Sequence, residues 1–247
     1  MTAPSRPVKL AFQPAFVILS GLLFFTVFWY FGRATFFQTH LKDAFPPTAL
    51  SSQYPFFYFC LMSVLFRMLL PLLCIRFVLK RRLGDFGFAV SQAGRGWKLY
   101  LGLYLAMVPL VVLAATTDSF LSFYPQFRGL YQRGPGGAEL VWWHLLVFEL
   151  VYGLLFVSGE SFWRGYLVFG LEEELGDYAI LVMVIPYVMS HYEKPFMETL
   201  GAFVAGSVLG YLALRHRNFW LGVFVHWGVA ITMDLSALWQ SGVTIVY

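Results

Sequence analysis

The sequence has few charged residues for its length. Only 12% of the 247 residues are charged, whereas an ordinary soluble domain carries about 25%. Hydrophobic residues make up 59% of the chain and aromatic residues 20%. A soluble fold of this length needs a polar exterior, because its surface is large relative to its volume. The composition therefore excludes an ordinary soluble domain and predicts an apolar exterior that faces a lipid bilayer.

Cysteine is scarce, and a basic arm is lacking. Cys60 and Cys74 lie in one apolar stretch, where a helix would hold them about 21 Å apart, too far for a disulfide. The net charge of +4 comes from basic residues beside apolar runs. This pattern predicts contact with the anionic headgroups of the lipid bilayer and no nucleic-acid partner.

The apolar runs predict an all-α, multi-pass transmembrane helix bundle that forms a single domain over residues 1–247. A helix needs about 20 apolar residues to cross the hydrocarbon core, and the fifth and sixth runs are shorter than that. The seven predicted spans are Pro14–Phe31, Pro55–Leu79, Trp97–Thr116, Leu145–Gly170, Tyr178–His191, Thr199–Leu214 and Phe219–Trp239.

Lysine and arginine near the span ends predict the orientation in the cell membrane. Cytoplasmic loops carry an excess of these residues. The predicted cytoplasmic side holds Arg6, Lys9, Arg76, Lys80, Arg81, Arg82, Arg95, Lys98, Arg215 and Arg217. The other side holds only Arg33, Lys42, Arg128, Arg133 and Lys194. The asymmetry predicts a cytoplasmic amino terminus and, with seven spans, a carboxyl terminus on the other side.

Ionisable residues inside the predicted spans are the candidates for function, because burying a charge in lipid is costly. Glu160 and Arg164 are four residues apart in the fourth span, so on a helix they share a face and can form an ion pair. Such a pair is as compatible with the neutralisation of two buried charges as with catalysis.

Two histidines complete a candidate catalytic group. His191 follows an apolar run, where structural histidines are common, whereas His226 lies inside the last span and needs an internal partner. Asp234, two turns further on, is a candidate for that partner. Counted from the inner ends of their spans, Glu160, His191 and His226 lie about 15, 20 and 10 Å deep. One carboxylate and two imidazoles in a common layer are what a water-activating hydrolase requires.

Other polar residues are weaker candidates. Glu198 is expected near His191, either to orient its ring or to cap the next helix. Arg67 either lines a cavity or extends towards the interface, and Glu149 is expected to hydrogen-bond between helices. Glu172–Glu174 is predicted to be a solvated loop, with a divalent-cation site as the alternative.

The sequence lacks the His-Glu-x-x-His motif and a phosphate-binding loop, so no metal or other cofactor is expected.

The spacing of these residues resembles the CPBP (or Abi) family of intramembrane glutamic endopeptidases, named for CAAX prenyl proteases and bacteriocin-processing enzymes. That family shows Glu-Glu-x-x-x-Arg, then Phe-x-x-x-His, then His-x-x-x-Asn or Asp, on three helices. The counterparts here are Gly159-Glu160-x-x-x-Arg164, Tyr187-x-x-x-His191 and His226-x-x-x-Ala230. The resemblance covers about Trp142–Leu238.

Two departures from the family pattern stand out. Gly159 takes the place of the first glutamate, and Ala230 takes the place of the asparagine or aspartate. Asp234 is a candidate to supply the polar group that is missing at position 230. Glu160 would then be the carboxylate that remains for chemistry.

The resemblance implies an endopeptidase that hydrolyses a peptide bond in a membrane-anchored or lipidated protein or peptide. Its catalytic residues would be Glu160, His191 and His226, with Arg164, Asp234 and Glu198 in support. Glu160 would deprotonate a water held with His191, and His226 would stabilise the oxyanion. The alternatives are a catalytically inactive relative and a membrane transporter or chaperone whose buried charges are structural.

Overall fold

Membrane-spanning helices dominate the fold. The computed structural model describes residues 10–92, 94–134 and 136–247, so Arg6 and Lys9 lie outside the described residues. Within these ranges, six helices are long and apolar enough to cross a membrane. The chain is therefore a multi-pass membrane protein, and the predicted helical bundle is confirmed.

The helices are joined by connections of different lengths. In chain order they are α1 (Phe12–Phe31), α2 (Ala34–His40), α3 (Ser51–Val78), α4 (Trp97–Ala114), α5 (Asp118–Phe123), α6 (Trp142–Leu175), α7 (Tyr178–Met189), α8 (Phe196–His216) and α9 (Trp220–Gln240). Short 3₁₀ turns occupy Lys42–Ala44, Leu83–Phe86, Val90–Gln92 and Arg128–Leu130. Both α3 and α6 contain π-helical stretches, at Leu65–Leu69, Cys74–Val78 and Ser161–Val168.

The predicted fifth span is the short helix α7. Its 12 residues extend only about 18 Å, less than the thickness of a hydrocarbon core. Nevertheless, α7 starts beside the end of α6, and the segment after it reaches the opposite end of the bundle, where Arg33 pairs with Glu193. This hydrogen bond to the Arg33 guanidinium lowers the pKa of Glu193. The chain thus passes seven times between the two ends of the bundle, with a short fifth pass.

At the first end of the bundle, ion pairs link the loop after α3 and the end of α8 to the end of α6. Arg81 pairs with Glu173 at 3.2 Å, and Arg217 pairs with Glu172 at 2.5 Å. The prediction that Glu172–Glu174 forms a loop is therefore wrong, because these residues continue helix α6. Glu173 and Glu174 are exposed, as predicted, and Glu172 and Glu173 lie in ion pairs. Repulsion between adjacent carboxylates is relieved by the two arginines.

The second end of the bundle carries a small sheet that the sequence did not predict. Strand β1 (Gln132–Gly134) pairs antiparallel with β2 (Gly137–Val141), and β2 pairs parallel with β3 (Thr244–Val246). Because β2 leads directly into α6, the carboxyl-terminal strand lies beside the start of that helix. The strands have three to five residues, too few for an apolar pattern to identify them.

Glycines let α8 approach α7 closely. A Cβ atom at Gly206 would lie 2.8 Å from the Tyr187 ring, and one at Gly210 would lie 2.9 Å from the Ile180 side chain. Small residues at such contacts are a common means of packing membrane helices, where no hydrophobic effect drives helices together. This packing holds Tyr187, and with it the start of the turn that carries His191, against the centre of the bundle.

We expect reporter fusions after Arg82 and after Arg133 to lie on opposite sides of the membrane. Arg82 belongs to the first end of the bundle, and Arg133 belongs to the sheet at the second end. A fusion after Glu174 is the control, because the Arg81–Glu173 pair places it on the side of Arg82. Reporters on the same side after Arg82 and Arg133 would contradict the seven-pass arrangement.

Candidate active site

Glu160 and Arg164 form a buried ion pair in the middle of α6. Nη1 of Arg164 donates to Oε1 of Glu160 at 2.8 Å, and the two side chains are 0% and 1% exposed. The predicted pair is confirmed. Glu160 directly precedes the π-helical stretch Ser161–Val168. Such local unwinding of an α-helix is frequent at functional sites.

His226 on α9 shares the same carboxylate oxygen. Its Nδ1 lies 2.9 Å from Oε1 of Glu160. A carboxylate oxygen accepts hydrogen bonds, so Nδ1 carries the proton and Nε2 keeps its lone pair when the ring is neutral. The ring packs against Phe156 at a centroid distance of 4.8 Å, and the side chain remains 27% exposed. His226 is therefore the accessible member of this network.

Gly222 makes the close approach of α9 to Glu160 possible. It precedes His226 by one helical turn, and a Cβ atom at Gly222 would lie 2.9 Å from Oε2 of Glu160. That oxygen is fully buried and has no hydrogen-bond partner among the described residues. Glu160 thus presents its polar atoms to Arg164 and His226 and to no open surface.

His191 lies in the turn after α7 and reaches the network through Tyr187. Its Nδ1 is 2.9 Å from the carbonyl oxygen of Tyr187, so Nδ1 donates and Nε2 is again the free acceptor. The Tyr187 ring lies 4.7 Å from the His191 ring and 6.3 Å from the His226 ring, measured between centroids. The guanidinium of Arg164 stacks on the same tyrosine at 4.5 Å.

Direct hydrogen bonds therefore join Glu160 to Arg164 and to His226. His191 is linked to this group by the Tyr187 ring, which contacts both imidazole rings. His191 forms no hydrogen bond with Glu160 or His226 within the described part of the chain. Neither histidine Nε2 has a partner among the residues described, and neither is fully buried. The arrangement offers two imidazole acceptors, one on the histidine bonded to the buried carboxylate and one on the histidine that contacts Tyr187.

The prediction that Asp234 is the partner of His226 is wrong. Oδ1 of Asp234 accepts a hydrogen bond from the backbone of Gln126 at 3.0 Å, whereas Glu160 is the partner of His226. Eight residues separate Asp234 from His226, which is about 12 Å along a helix and too far for contact. Asp234 instead holds the segment between α5 and the sheet against α9.

Glu198 does not orient His191, and its side chain does not cap α8. One carboxylate oxygen binds Nζ of Lys194 at 2.5 Å, and the other accepts from the Tyr124 hydroxyl at 2.9 Å. Burial raises the pKa of Tyr124 well above its usual value, so the phenol stays protonated and donates. The His191 ring is oriented by the backbone of Tyr187 instead. Glu198 ties the turn after α7 to the segment after α5.

Two residues at the site carried weaker signals in the sequence. Tyr187 links both histidines and Arg164, although its position in the motif is the only indication of that role. Arg67 on α3 lies against Gly159, where a Cβ atom would be 2.6 Å from Nη2 of Arg67. A lone arginine in an apolar span was the available signal, but the sequence alone could not pair it with Gly159.

The fold is a multi-pass membrane helix bundle, and its buried polar groups lie on facing helices. More particularly, a family model described as type II CAAX prenyl endopeptidase Rce1-like matches residues 138–232. The matched stretch runs from β2 into α9 and includes Glu160, His191 and His226. The match confirms the resemblance to the CPBP family and supports intramembrane endopeptidase function in general. No curated protein matches the chain, and no solved structure does.

Replacing Arg164 by alanine should destabilise the protein strongly. The change leaves the Glu160 carboxylate buried with one partner fewer, and breaking a buried pair costs about 3–5 kcal/mol. Arg81→Ala is the control, since it breaks a pair that is 43% and 68% exposed and costs below about 1 kcal/mol. Unfolding in detergent measures both, and equal losses would mean that the buried pair contributes no more than the exposed one.

Gly222→Ala should also destabilise the site, by about 1–3 kcal/mol, because the new methyl group meets the buried Oε2 of Glu160. Gly201→Ala is the matched control on α8, where a Cβ atom meets nothing within 4 Å. Thermal unfolding should show a clearly lower unfolding temperature for Gly222→Ala than for Gly201→Ala. A neutral Gly222→Ala variant would show that α9 does not approach the carboxylate this closely.

Proposed function

We propose that this chain is an intramembrane endopeptidase that hydrolyses a peptide bond in a membrane-anchored or lipidated protein or peptide. The family match supports this class of activity. The observation that carries the proposal is the 2.9 Å hydrogen bond between Glu160 and a partly exposed His226. We assign the chemistry to the part of the domain between about residues 142 and 238.

His226 is better placed than Glu160 to be the general base. Oε1 of Glu160 accepts from both Arg164 and His226, and its Oε2 is buried against Gly222. His226 donates from Nδ1 to Glu160, which leaves Nε2 to accept a proton from water. This assignment differs from the one implied by the family resemblance, in which the carboxylate takes the proton. Glu160 instead fixes the tautomer of His226 and stabilises the imidazolium that forms.

The proposed reaction uses both imidazoles. His191 holds the water by accepting a hydrogen bond from it at Nε2, while His226 takes the other proton as the water oxygen attacks the substrate carbonyl carbon. The proton on His226 then passes to the leaving amine nitrogen as the carbon–nitrogen bond breaks. Arg164 keeps Glu160 ionised and in place, and Tyr187 sets the positions of His191 and Arg164.

Glu160→Gln should lower the cleavage rate per folded molecule by at least about a hundredfold, because a neutral amide cannot stabilise the imidazolium. The substrate is a prenylated peptide with a CAAX-type end, in liposomes with the purified protein, and mass spectrometry detects the products. Glu172→Gln is the control, since that carboxylate lies in a partly exposed pair at the end of the bundle, and the change should leave cleavage near normal. Equal activity of the two variants would make Glu160 a structural residue.

A catalytically inactive relative is the second candidate, and a specific observation favours it. Gly159 and Ala230 replace two polar residues of the family pattern, and Arg67 takes up the space beside Gly159. Binding of the prenylated peptide by the wild-type protein without any cleavage would support this reading over the protease.

We also propose that the amino terminus faces the cytoplasm. The excess of basic residues at the first end of the bundle supports this orientation. Among described residues, that end carries Arg76, Lys80, Arg81, Arg82, Arg95, Lys98, Arg215 and Arg217, against Arg33, Lys42, Arg128, Arg133 and Lys194 at the second end.

A further inference from the structure

Arg67 is a buried cation with few partners. It lies in the π-helical stretch Leu65–Leu69 of α3 and is only 9% exposed. Nη1 donates to Oγ of Ser63 at 3.2 Å, whereas Nε is fully buried without a partner among the described residues. A guanidinium has five N–H donors, so most of this donor capacity is unused. The rings of Trp163 and Phe28, at 5.5 and 5.7 Å, supply weaker cation–π contacts.

The arginine is held in place from α6. Ser158 contacts Ser63, the hydrogen-bond acceptor of Arg67, at 2.6 Å between the two hydroxyl oxygens. The Ser161 hydroxyl donates to the backbone carbonyl of Arg67 at 3.1 Å. Both ends of the residue are therefore fixed to the helix that carries Glu160. A guanidinium fixed in this way loses little conformational entropy when it binds a planar anion.

The charges around Glu160 do not balance. Arg164 already pairs with the carboxylate, and Arg67 adds a second cation whose Nη2 lies where the side chain of residue 159 would be. In the described part of the chain, no Asp or Glu forms an ion pair with Arg67. An unmatched charge in a water-poor interior is costly unless a counter-charge arrives. The family pattern has a carboxylate at position 159, and this chain has a cation in its space.

We propose that Arg67 is a specificity-determining residue that binds a carboxylate of the substrate beside Glu160. This inference rests on the proposed function, because the bound peptide is the source of the carboxylate. A planar carboxylate matches the guanidinium fork and would supply the missing negative charge. The carboxylate is either the free carboxyl terminus of the peptide or an acidic side chain near the scissile bond.

Binding of three lipidated peptides of one sequence tests the proposal. The first ends in a free acid, the second in an amide, and the third is the amide with an added Asp side chain. Full-length protein carrying His226→Ala, reconstituted in nanodiscs, prevents turnover during titration. We expect the acid or the Asp peptide to bind about tenfold or more tightly than the plain amide, and Arg67→Gln to remove that preference. Equal binding of all three peptides, or a preference that survives Arg67→Gln, would overturn the proposal.

A second test measures unfolding temperature and needs no peptide binding. Gly159→Glu places a carboxylate beside Nη2 of Arg67, whereas Gly159→Gln adds the same bulk without charge. We expect the glutamate variant to unfold at a higher temperature than the glutamine variant when Arg67 is present. The difference should vanish in the Arg67→Gln background, because the ion pair is then lost. A glutamate variant no more stable than the glutamine variant would show that Arg67 is not an unmatched cation.

Cleavage assays separate the failure of this inference from the failure of the proposed function. If no peptide is cleaved but the acid preference depends on Arg67, the protease proposal fails and the carboxylate site stands. If peptides are cleaved, Arg67→Gln should raise KM for the preferred acidic substrate with little change in kcat. Cleavage with the same KM for acid and amide would refute the carboxylate site and leave the protease proposal intact.

Discussion

The site depends on one buried carboxylate that needs hydrogen-bond donors from the protein itself. Glu160 obtains them from its own helix through Arg164 and from α9 through His226, both at the same oxygen. The cost of burying the charge is offset only while both donors remain in place. This requirement fixes the rotation of α9 against α6, and Gly222 provides the space for it. The hydrogen bond to Glu160 also holds His226 in one tautomer. The interaction that stabilises the buried carboxylate therefore leaves Nε2 of His226 as a hydrogen-bond acceptor.

His191 is positioned by helix packing and forms no hydrogen bond with Glu160. The glycines of α8 draw it close to α7, and Tyr187 at that contact lies between the rings of His191 and His226. Two other acidic residues support the fold around the site. Glu198 on α8 binds Tyr124, and Asp234 on α9 binds Gln126, so both hold the segment after α5 against the helices. Glu160 thus lies in the candidate site, whereas Asp234 and Glu198 lie in the part of the bundle that supports it.

The region beside Gly159 shows how a change at one position alters the charge of a whole site. The absence of a side chain there makes room for the Arg67 guanidinium, and the serines of α3 and α6 hold that group in place. A site with one carboxylate and two guanidinium groups attracts an anion, whereas a second glutamate would have balanced it. Under the proposed function, a residue of α3, outside the family motif, would set the preference for an anionic substrate group.

The sequence by itself determined the membrane class, the approximate spans and the Glu160–Arg164 pair, because these follow from composition and from helical periodicity within one segment. It also singled out His191 and His226 as candidates. Only the tertiary structure decided that Glu160, not Asp234, is the partner of His226, that Glu198 binds Lys194 and Tyr124, and that Arg67 meets Gly159. Contacts between helices depend on how each helix is rotated and how closely its neighbours approach. Glycines and π-helical stretches set both quantities through three-dimensional packing, which residue spacing along the chain does not encode.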